Sequence, residues 1–416
     1  MKKRFLIPIV LFLCCITAGC VVSLLDTAPT FSQSENRYLS SFPEADFESI
    51  VDCSFMKSFE TYYNDTFPLR ERLIGVSKSI KGMLYPNTFV SDDDEITFNV
   101  SASGAAAQQE QAKSINGLMY VGGRLMHIFA RDDAKAARYA QAINTLYEQC
   151  GKPETYVLLP TPAYTLYAPS DKLQGNADFE AALLGFEQML EGPVLVNVNK
   201  AFEQNKDDYL YFRSDHHWTS RGAYIAAKEF ALAAENQALP PLSEYKRGKL
   251  QGFLGSLYNS VATEPIAAKF EQDKDYVEYF FPEHSAEVYS YSDEKMLDPD
   301  KRQLIYNNYN ADSNLYNVFF GGDIPLGHIK SNVNNGKSIM VVRDSYGHAF
   351  AEYLVDLYED IYILEPRYYS AEYNFELSSF FAEKEIDKLL FVNYSCFAIG
   401  GFWDNIDRHL VNFYNK

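Results

Sequence analysis

The chain has 416 residues, of which 47% are hydrophobic and 22% charged, and its formal net charge at pH 7 is −19. This composition predicts a folded protein with one large domain or two. So acidic a surface repels phosphate backbones, and we expect no nucleic-acid partner. The sequence shows neither a P-loop nor a dinucleotide-binding glycine pattern, so nucleotide chemistry has no support.

A basic start, Met-Lys-Lys-Arg, precedes an apolar run from Phe5 to Leu25. The run is long enough to span a bilayer and also resembles an export signal, while the basic flank favours a cytoplasmic N-terminus. Residues 1–30 therefore predict a signal-anchor, or alternatively a lipoprotein signal cleaved before Cys20. We favour the anchor because Thr17 stands where a lipoprotein signal usually has a larger aliphatic residue. Either way, we expect an extracytoplasmic protein held at the cell surface by this segment.

The next two regions are predicted to lie outside the main domain. Residues 31–90 are polar, with helical spacing of apolar side chains from Phe59 to Ile80 that Pro68 interrupts, and they predict an N-terminal helical extension. Residues 91–114 are acidic and then rich in Ala, Ser and Gln, which is typical of a flexible linker.

From residue 115 to residue 416, short apolar runs alternate with amphipathic segments. The stretch "INGLMYVGGRLMHIF" predicts a strand–turn–strand, and residues 220–235 predict a helix. Further strands are predicted at "TYVLLPTP", "PVLVNV", "KSIMVV", "IYILE" and "KLLFVNY". The alternation predicts an α/β fold with a mostly parallel sheet flanked by helices. Residues 248–336 are rich in Tyr, Phe, Asn and Gly without a strong helix, and we expect a β-rich insertion there.

The segment "RSDHHWTSRGAY" places an acid and two histidines directly before a predicted helix. If the segment is extended, Asp215 and His217 share one face and His216 points to the other. A carboxylate beside an imidazole fixes its tautomer and stabilises the imidazolium, which would make this pair two-thirds of a catalytic triad. The alternative is that Ser214 and Asp215 only cap the helix.

The segment "SIMVVRDSYGHAF" places Ser345 at a predicted strand-to-helix turn. Such a turn exposes the serine Oγ and brings its own backbone N–H near a helix N-terminus, which suits a nucleophile and an oxyanion donor. Alone, this turn is explained equally well by helix capping. Open α/β sheets form their sites at the carboxyl ends of strands, so the two motifs together favour a triad of Asp215, His217 and Ser345.

A metal site is the rival chemistry at the same segment. Asp215, His216 and His217 offer ligand atoms, but adjacent side chains on a strand diverge, and no HExxH motif or cysteine pair accompanies them. We therefore expect neither a metal nor another cofactor.

The segment "SDHHW" resembles the signature of the DHHW proteins, exported bacterial proteins similar to the alginate O-acetylation proteins of the SGNH-hydrolase-like group. Family landmarks follow in order from about residue 34 to the C-terminus, apart from the linker and parts of the insertion: "SENRYLSSFP", "YYNDTFPLRERLI", "INGLMYVGG", "DHHWTSRGAY", "FFGGD" and "VVRDSYGHAF". The resemblance assigns the Asp/His pair to Asp215 and His217 and the nucleophile to Ser345, and it implies an acyl-serine mechanism.

The chain departs from ordinary SGNH enzymes in two ways. Its triad order is Asp, His, Ser, where those enzymes carry the serine first, and a permuted sheet would explain the difference. Arg343 stands at the usual glycine, which leaves the second oxyanion donor open, with Asn393 as a candidate. Arg367 would bind a charged group or form a surface salt bridge.

The resemblance implies an O-acetyltransferase or acetylesterase acting on a cell-envelope or secreted polysaccharide, with a membrane protein as a plausible acetyl donor. His216 and Tyr346 are candidates to line the substrate or oxyanion site. Trp218 either stacks on a sugar or is buried and fixes the loop. The rival functions are a non-catalytic carbohydrate-binding or assembly protein on the same fold and a hydrolase for small esters or lipids.

Overall fold

The computed structural model describes part of the chain in detail: residues 31–32, 37–38, 42–43, 54–67, 113–129, 131–169, 175–292, 295–309, 314–368, 375–395 and 406–411. Two compact units are present, Met1–Glu95 and Ile96–Lys416. The apolar run of residues 5–25 and nearly all of the predicted linker lie outside the described residues. Within the described part, no helix is both long and apolar enough to cross a bilayer.

In the first unit, strands β1 (Phe31–Ser32) and β2 (Arg37–Tyr38) pair antiparallel, and helix α1 spans Ser54–Thr66. The ring of Phe42 packs edge-on against Phe59 and Tyr62 of this helix. The predicted helical spacing began at Phe59, and its continuation to Ile80 falls on residues outside the described part.

The second unit is built on an eight-stranded mixed sheet. Its strands are β6 (Glu154–Leu158), β7 (Val194–Leu195), β10 (Ala286–Tyr291), β11 (Asp300–Arg302), β12 (Leu326–Ser331), β13 (Ser338–Arg343), β14 (Asp360–Leu364) and β15 (Lys388–Val392). From one edge to the other, their order is β11–β10–β12–β14–β13–β15–β6–β7. Strands β14, β13, β15, β6 and β7 run parallel to one another. On the other side of β14, β12 pairs antiparallel with β14, β10 pairs antiparallel with β12, and β11 pairs antiparallel with β10. The sheet is thus less parallel than predicted, because residues 286–331 continue it.

Smaller strands and the helices surround this sheet. A three-stranded sheet comprises β3 (Lys113–Ile115), β4 (Leu118–Val121) and β5 (Arg124–His127), and a two-stranded ribbon comprises β8 (Lys246–Phe253) and β9 (Asp275–Phe281). The helices are α2 (Asp133–Gln149), α3 (Ala163–Tyr167), α4 (Gly175–Glu187), α5 (Asn199–Gln204), α6 (Ser220–Glu235), α7 (Ser256–Val261), α8 (Ala267–Gln272), α9 (Gly347–Ala351) and α10 (Leu377–Glu383). Residues 113–114, expected at the end of the linker, belong to β3. The stretch expected to hold no strong helix contains the two short helices α7 and α8.

The central sheet is buried on both faces. Ile339 and Val341 of β13 pack in one apolar cluster with α6, while Met340 and Val342 pack in another with α2 and α4. A strand covered on both faces reads as a continuous apolar run, which explains "SIMVV". Strand β13 ends at Arg343 between β14 and β15. The turn that carries Ser345 therefore opens at the carboxyl edge of the parallel strands, where such sheets form their sites.

Candidate functional site

The turn between β13 and α9 is held by the carboxylate of Asp344. Its Oδ1 accepts the backbone N–H of Tyr346 at 2.9 Å, and its Oδ2 accepts that of Tyr394, beyond the end of β15, at 2.6 Å. Burial raises the pKa of Asp344, although the Arg367 guanidinium and these two hydrogen bonds oppose the rise. Asp344 therefore fixes the turn to the neighbouring strand, and Ser345 stands at its apex.

Ser345, His217 and Asp215 lie in a continuous hydrogen-bonded chain. His217 Nδ1 is 2.5 Å from Asp215 Oδ1, and His217 Nε2 is 2.7 Å from Ser345 Oγ. Because a carboxylate only accepts hydrogen bonds, Nδ1 carries the proton and Nε2 accepts from the serine hydroxyl. The exposed fractions of Asp215, His217 and Ser345 are 5%, 3% and 7%, so little water competes for these bonds.

The ionised form of Asp215 is favoured by its surroundings. Burial acts to raise its pKa, but the imidazoles of His217 and His216 and the backbone N–H of Ser256 outweigh burial and hold the pKa below its usual range. The backbone N–H of His217 also donates to Asp215 Oδ1 at 2.8 Å. A permanent negative charge at this position would stabilise an imidazolium at His217.

The segment that carries the two histidines is a bent loop and not an extended strand. It is closed by an isolated bridge between Tyr211 and Trp218, and Asp275 bends it by accepting the backbone N–H groups of Arg213 and Ser214. The expectation that His216 points away from His217 is wrong, because the bend brings their ring centroids to 3.8 Å.

The same bend removes the argument used against a metal. One potential ligand atom from each of Asp215, His216 and His217 lies within 4.8 Å of the others, so the side chains converge. Three of the four ring nitrogens are nevertheless engaged in side-chain hydrogen bonds: His217 Nδ1 with Asp215, His217 Nε2 with Ser345, and His216 Nδ1 with Ser256 Oγ at 2.7 Å. A metal ion bound to these nitrogens would have to replace those bonds.

Two supporting residues were not identified from the sequence. Ser256, the first residue of α7, donates its backbone N–H to Asp215 Oδ2 at 2.6 Å. Tyr316 stacks on the His217 ring at 4.0 Å and donates its hydroxyl to the Ser345 carbonyl at 3.0 Å. Both lie in stretches without any motif, so no local pattern indicated them.

Trp218 has no exposed surface and donates Nε1–H to the Tyr346 carbonyl at 3.0 Å. A sugar cannot stack on it in this structure, and its contact joins the histidine loop to the serine turn. Tyr346 is also fully buried, and its hydroxyl donates to the His216 carbonyl. Neither aromatic ring faces a substrate, so both hold the two motifs together.

Asn393 is fully buried at the end of β15. Its Oδ1 accepts the hydroxyl of Tyr139, on helix α2, at 2.5 Å, and its Nδ2 has no partner in the described part of the chain. The position of Asn393 as an oxyanion donor stays a prediction. The backbone N–H of Ser345 makes no hydrogen bond with another described residue, which leaves it available for that role.

Arg343 is buried in an ionic cluster, and the partly exposed Arg367 joins this cluster from the surface. Arg343 Nη1 lies 3.2 Å from Asp323, 3.3 Å from Glu365 and 2.6 Å from His348 Nε2. Arg367 forms a two-pronged pair with Glu365 at 2.9 and 2.8 Å, so its partner is buried and not on the surface. Burial and Arg343 lower the pKa of His348 to about 4, so this imidazole is neutral at pH 7.

His216 is partly exposed beside the triad. Its ring lies 5.8 Å from that of His127 and 5.7 Å from that of Tyr394. Burial lowers the pKa of both imidazoles, so both are neutral at pH 7. Neutral rings of this kind are suited to line one side of a site for an uncharged acyl or sugar group.

The protein thus has a mixed α/β fold, with a hydrogen-bonded chain of Asp215, His217 and Ser345 at the carboxyl edge of its parallel strands. The family model of the DHHW proteins matches residues 79–364, more than half of the chain, and the protein belongs to that family. The resemblance inferred from "SDHHW" is confirmed. No curated protein matches the chain.

Solved structures resemble the chain over most of its length. A DHHW family protein from Eubacterium siraeum is 25% identical with a TM-score of 0.63, over 72% of this chain and 97% of that chain. Bacillus cereus PatB1, solved with a sulfonyl adduct, is 20% identical with a TM-score of 0.55, over 71% and 98%. The O-acetyltransferase domain of Pseudomonas putida AlgJ is 13% identical with a TM-score of 0.39, over 68% and 92%.

Proposed function

We propose that this protein is an extracytoplasmic, serine-dependent O-acetyltransferase or acetylesterase that acts on a cell-envelope or secreted polysaccharide. The observation that carries the proposal is the relay from Asp215 through His217 to Ser345, with contacts of 2.5 and 2.7 Å. A base within hydrogen-bond reach of a hydroxyl, itself oriented by a third group, is the arrangement that activates a serine nucleophile.

The first half-reaction transfers the acetyl group to the enzyme. Ser345 Oγ attacks the ester carbonyl carbon while its proton passes to His217 Nε2, and the carbonyl electron pair moves onto oxygen. Asp215 stabilises the imidazolium, and the backbone N–H of Ser345 donates to the oxyanion. When the tetrahedral intermediate collapses, the bond to the leaving oxygen breaks, and His217 returns the proton to that oxygen.

The second half-reaction removes the acetyl group from Ser345. A sugar hydroxyl or a water molecule attacks the acetyl-serine carbonyl and gives its proton to His217, and Ser345 leaves and takes the proton back. The acceptor alone decides between acetyl transfer and ester hydrolysis. In this account, the neutral rings of His216, His127 and Tyr394 exclude water from one side of the site.

The location and partners form the second part of the proposal. The basic start and the apolar run from Phe5 to Leu25 favour export, with residues 1–30 as the membrane attachment. A membrane protein on the same side of the bilayer would supply the acetyl group. The fold is proposed to be SGNH-like with a permuted sheet, since the serine follows the Asp/His pair in the chain.

The test is acetyl release from a chromogenic acetyl ester by the full-length protein, alongside Ser345→Ala and His217→Ala. His284→Ala is a matched control, because His284 Nδ1 also pairs with a carboxylate, Asp356, at 2.9 Å but faces no serine among the described residues. We expect both triad variants to lose activity by about 10³-fold or more and the control to keep it. Equal activity in all four proteins would overturn the proposal.

A second assay separates the related functions. Acetyl transfer to an added oligosaccharide, faster than hydrolysis, identifies a transferase, and hydrolysis alone identifies an esterase. Because PatB1 has been solved with a sulfonyl adduct, a sulfonyl fluoride is the reagent of choice for labelling. A folded protein that neither turns over the ester nor reacts with this reagent would be a non-catalytic carbohydrate-binding or assembly protein.

A further inference from the structure

Apart from Asp275, which holds the histidine loop, the ribbon formed by β8 and β9 has no part in the triad chemistry described above. It forms its own two-stranded sheet, with Lys249 opposite Glu278 and Gln251 opposite Tyr276. We call it the β8–β9 ribbon. Its sequence includes "KRGK" at residues 246–249, a concentration of positive charge in a chain with a net charge of −19.

The two acids of the ribbon are already neutralised by arginines from elsewhere in the fold. Asp275 pairs with Arg213 Nε at 2.8 Å, and Glu278 pairs with Arg221 Nε at 2.6 Å. Asp275 is also buried, and the Glu278 side chain is 11% exposed. Neither carboxylate is therefore free to compensate the basic side chains of β8.

Two basic side chains on one face of β8 are left without an ion-pair partner. Arg247 and Lys249 are exposed, and neither forms an ion pair with another described residue. They point to the same face, about 6.6 Å apart along the strand. Lys249 Nζ lies 3.2 Å from the centroid of the Tyr276 ring. Lys246 lies on the opposite face, beside a cavity that carboxylates also line. The face of Arg247 and Lys249 thus presents a short line of positive charge beside an aromatic ring.

This line of charge leads toward the catalytic groups. Strand β8 ends at Phe253, and three residues later Ser256 holds both Asp215 and His216. Ser256 lies seven positions after Lys249, so the two lie within about 25 Å even if the chain between them is fully extended. A linear polymer of several sugar units could therefore contact the ribbon and the triad together.

We propose that the exposed face of the β8–β9 ribbon binds an anionic glycan chain and so presents its hydroxyl groups to the site at Ser345. The shared chemistry is a linear sugar polymer that carries carboxylate or phosphate groups. This proposal rests on the proposed function for the role of the glycan as acceptor, while the binding surface itself rests on the charges described above.

The ribbon fits a polymer better than a membrane surface. Its uncompensated charges follow a single strand, whereas a lipid surface presents a plane of headgroups. Insertion into a bilayer also needs apolar side chains beside the basic ones. The large hydrophobic side chains exposed in the described part of the chain lie outside residues 246–253 and 275–281.

The experiment measures binding of polygalacturonate to the full-length Ser345→Ala protein, so that turnover plays no part. In this background, the Arg247→Gln/Lys249→Gln double variant is compared with Lys135→Gln/Lys152→Gln. The control makes the same change in net charge on exposed side chains of, and just after, helix α2. We expect the ribbon variant to weaken binding roughly tenfold and the control less than about twofold. Binding should also weaken as salt is raised.

Three further binding measurements show which kind of ligand the ribbon recognises. Fully methyl-esterified polygalacturonate has the same backbone without the charges and should bind at least about tenfold more weakly. A phosphorylated dextran, which keeps a sugar backbone, tests whether phosphate replaces carboxylate, and its binding distinguishes the two sources of charge. Vesicles with anionic lipids complete the set. No binding of either polyanion, equal loss in the two double variants, equal binding of the methyl ester, or tighter binding of vesicles would each overturn the proposal.

A last comparison separates this proposal from the proposed function. With Ser345 restored, the ribbon variant should hydrolyse a small chromogenic ester at the parent rate but show a higher KM for a polymeric acceptor. If the parent hydrolyses no ester and yet binds the polymer through the ribbon, the catalytic proposal fails and the binding surface stands. If ester hydrolysis is intact and the ribbon variant binds the polymer normally, the binding-surface proposal fails and the catalytic proposal stands.

Discussion

Ser256 donates its backbone N–H to Asp215 Oδ2 at 2.6 Å, and this bond joins segments 41 residues apart. The other carboxylate oxygen of Asp215 holds His217. The carboxylate of Asp215 is therefore fixed from two directions, by the first residue of α7 and by the imidazole of His217. The loop that precedes α7 approaches so closely that a Cβ atom on Gly255 would lie 2.2 Å from Asp215 Cβ.

Gly255→Ala should reduce ester hydrolysis by at least about tenfold, because the added methyl group displaces Asp215 and, through it, His217. The measurement is kcat/KM on a chromogenic acetyl ester, with circular dichroism to show that the fold is kept.

Two variants control this result. Ser256→Ala retains the backbone N–H that Asp215 accepts and loses only the hydroxyl contact with His216, so it should stay within a few-fold of the parent. Gly185→Ala, in helix α4, meets nothing within 4 Å and should have full activity. If Gly255→Ala were as active as these two, the tight packing of this loop would have no catalytic consequence.

Trp218→Phe should lower stability and activity without changing affinity for polysaccharide. The substitution removes the hydrogen bond that Nε1 donates to the Tyr346 carbonyl and leaves a cavity around the smaller ring, at a cost of about 1–3 kcal/mol. Thermal unfolding, ester turnover and glycan binding are to be measured on the same preparation. A loss of glycan affinity with unchanged stability would show that this residue contacts sugar after all.

Glu352 should make the protein less stable as pH rises. Its carboxylate is buried and accepts from Ser220 on α6, and burial raises its pKa from 4.5 to about 8. Between these values the folded chain keeps a proton that the unfolded chain has lost, so the free energy of unfolding falls with increasing pH, by on the order of 4 kcal/mol. Denaturant unfolding between pH 5 and pH 8 measures this slope.

Glu352→Gln replaces the carboxyl group by a neutral amide and should remove most of this slope. Glu187→Gln, on the surface end of α4, is the control and should retain the parent slope. Parallel curves for the parent and Glu352→Gln would mean that this carboxyl group is ionised in the folded protein.

Removal of metal ions should leave ester hydrolysis unchanged, although Asp215, His216 and His217 converge. Both ring nitrogens of His217 are already hydrogen-bonded, and a metal bound to either one would break the bond with Asp215 or the bond with Ser345. Activity is compared before and after dialysis against EDTA. A loss that zinc restores would replace the serine mechanism by a metal-assisted one.

Much of the site was predictable because its chemistry is local in the sequence. Helix α6 spans the predicted residues 220–235, and Ser345 lies at the predicted strand-to-helix turn. The contributions of Ser256 and Tyr316 were not predictable, since each depends on contacts between distant segments that no local pattern reports. The orientation of His216 was missed for the same reason, because Asp275, about 60 residues away, bends the loop.

The sheet shows a similar division between local and distant information. The apolar runs of β13, β14 and β15 predicted strands, and their alternation with amphipathic segments predicted a mostly parallel sheet. The antiparallel addition of β12, β10 and β11 depends on which strand pairs with the exposed edge of β14, a choice made between distant segments. The composition of residues 248–336 predicted β-structure in that stretch, but it did not predict which strand of the sheet this structure pairs with.

The most direct test of the account is the reaction of the full-length protein with a sulfonyl fluoride, followed by mass spectrometry of its peptides. The account predicts a single sulfonyl group on the peptide that contains Ser345, with labelling slowed by about 10²-fold or more in His217→Ala and absent in Ser345→Ala. Labelling of Ser345 at the same rate in His217→Ala, or no labelling of Ser345 in the folded parent, would contradict it.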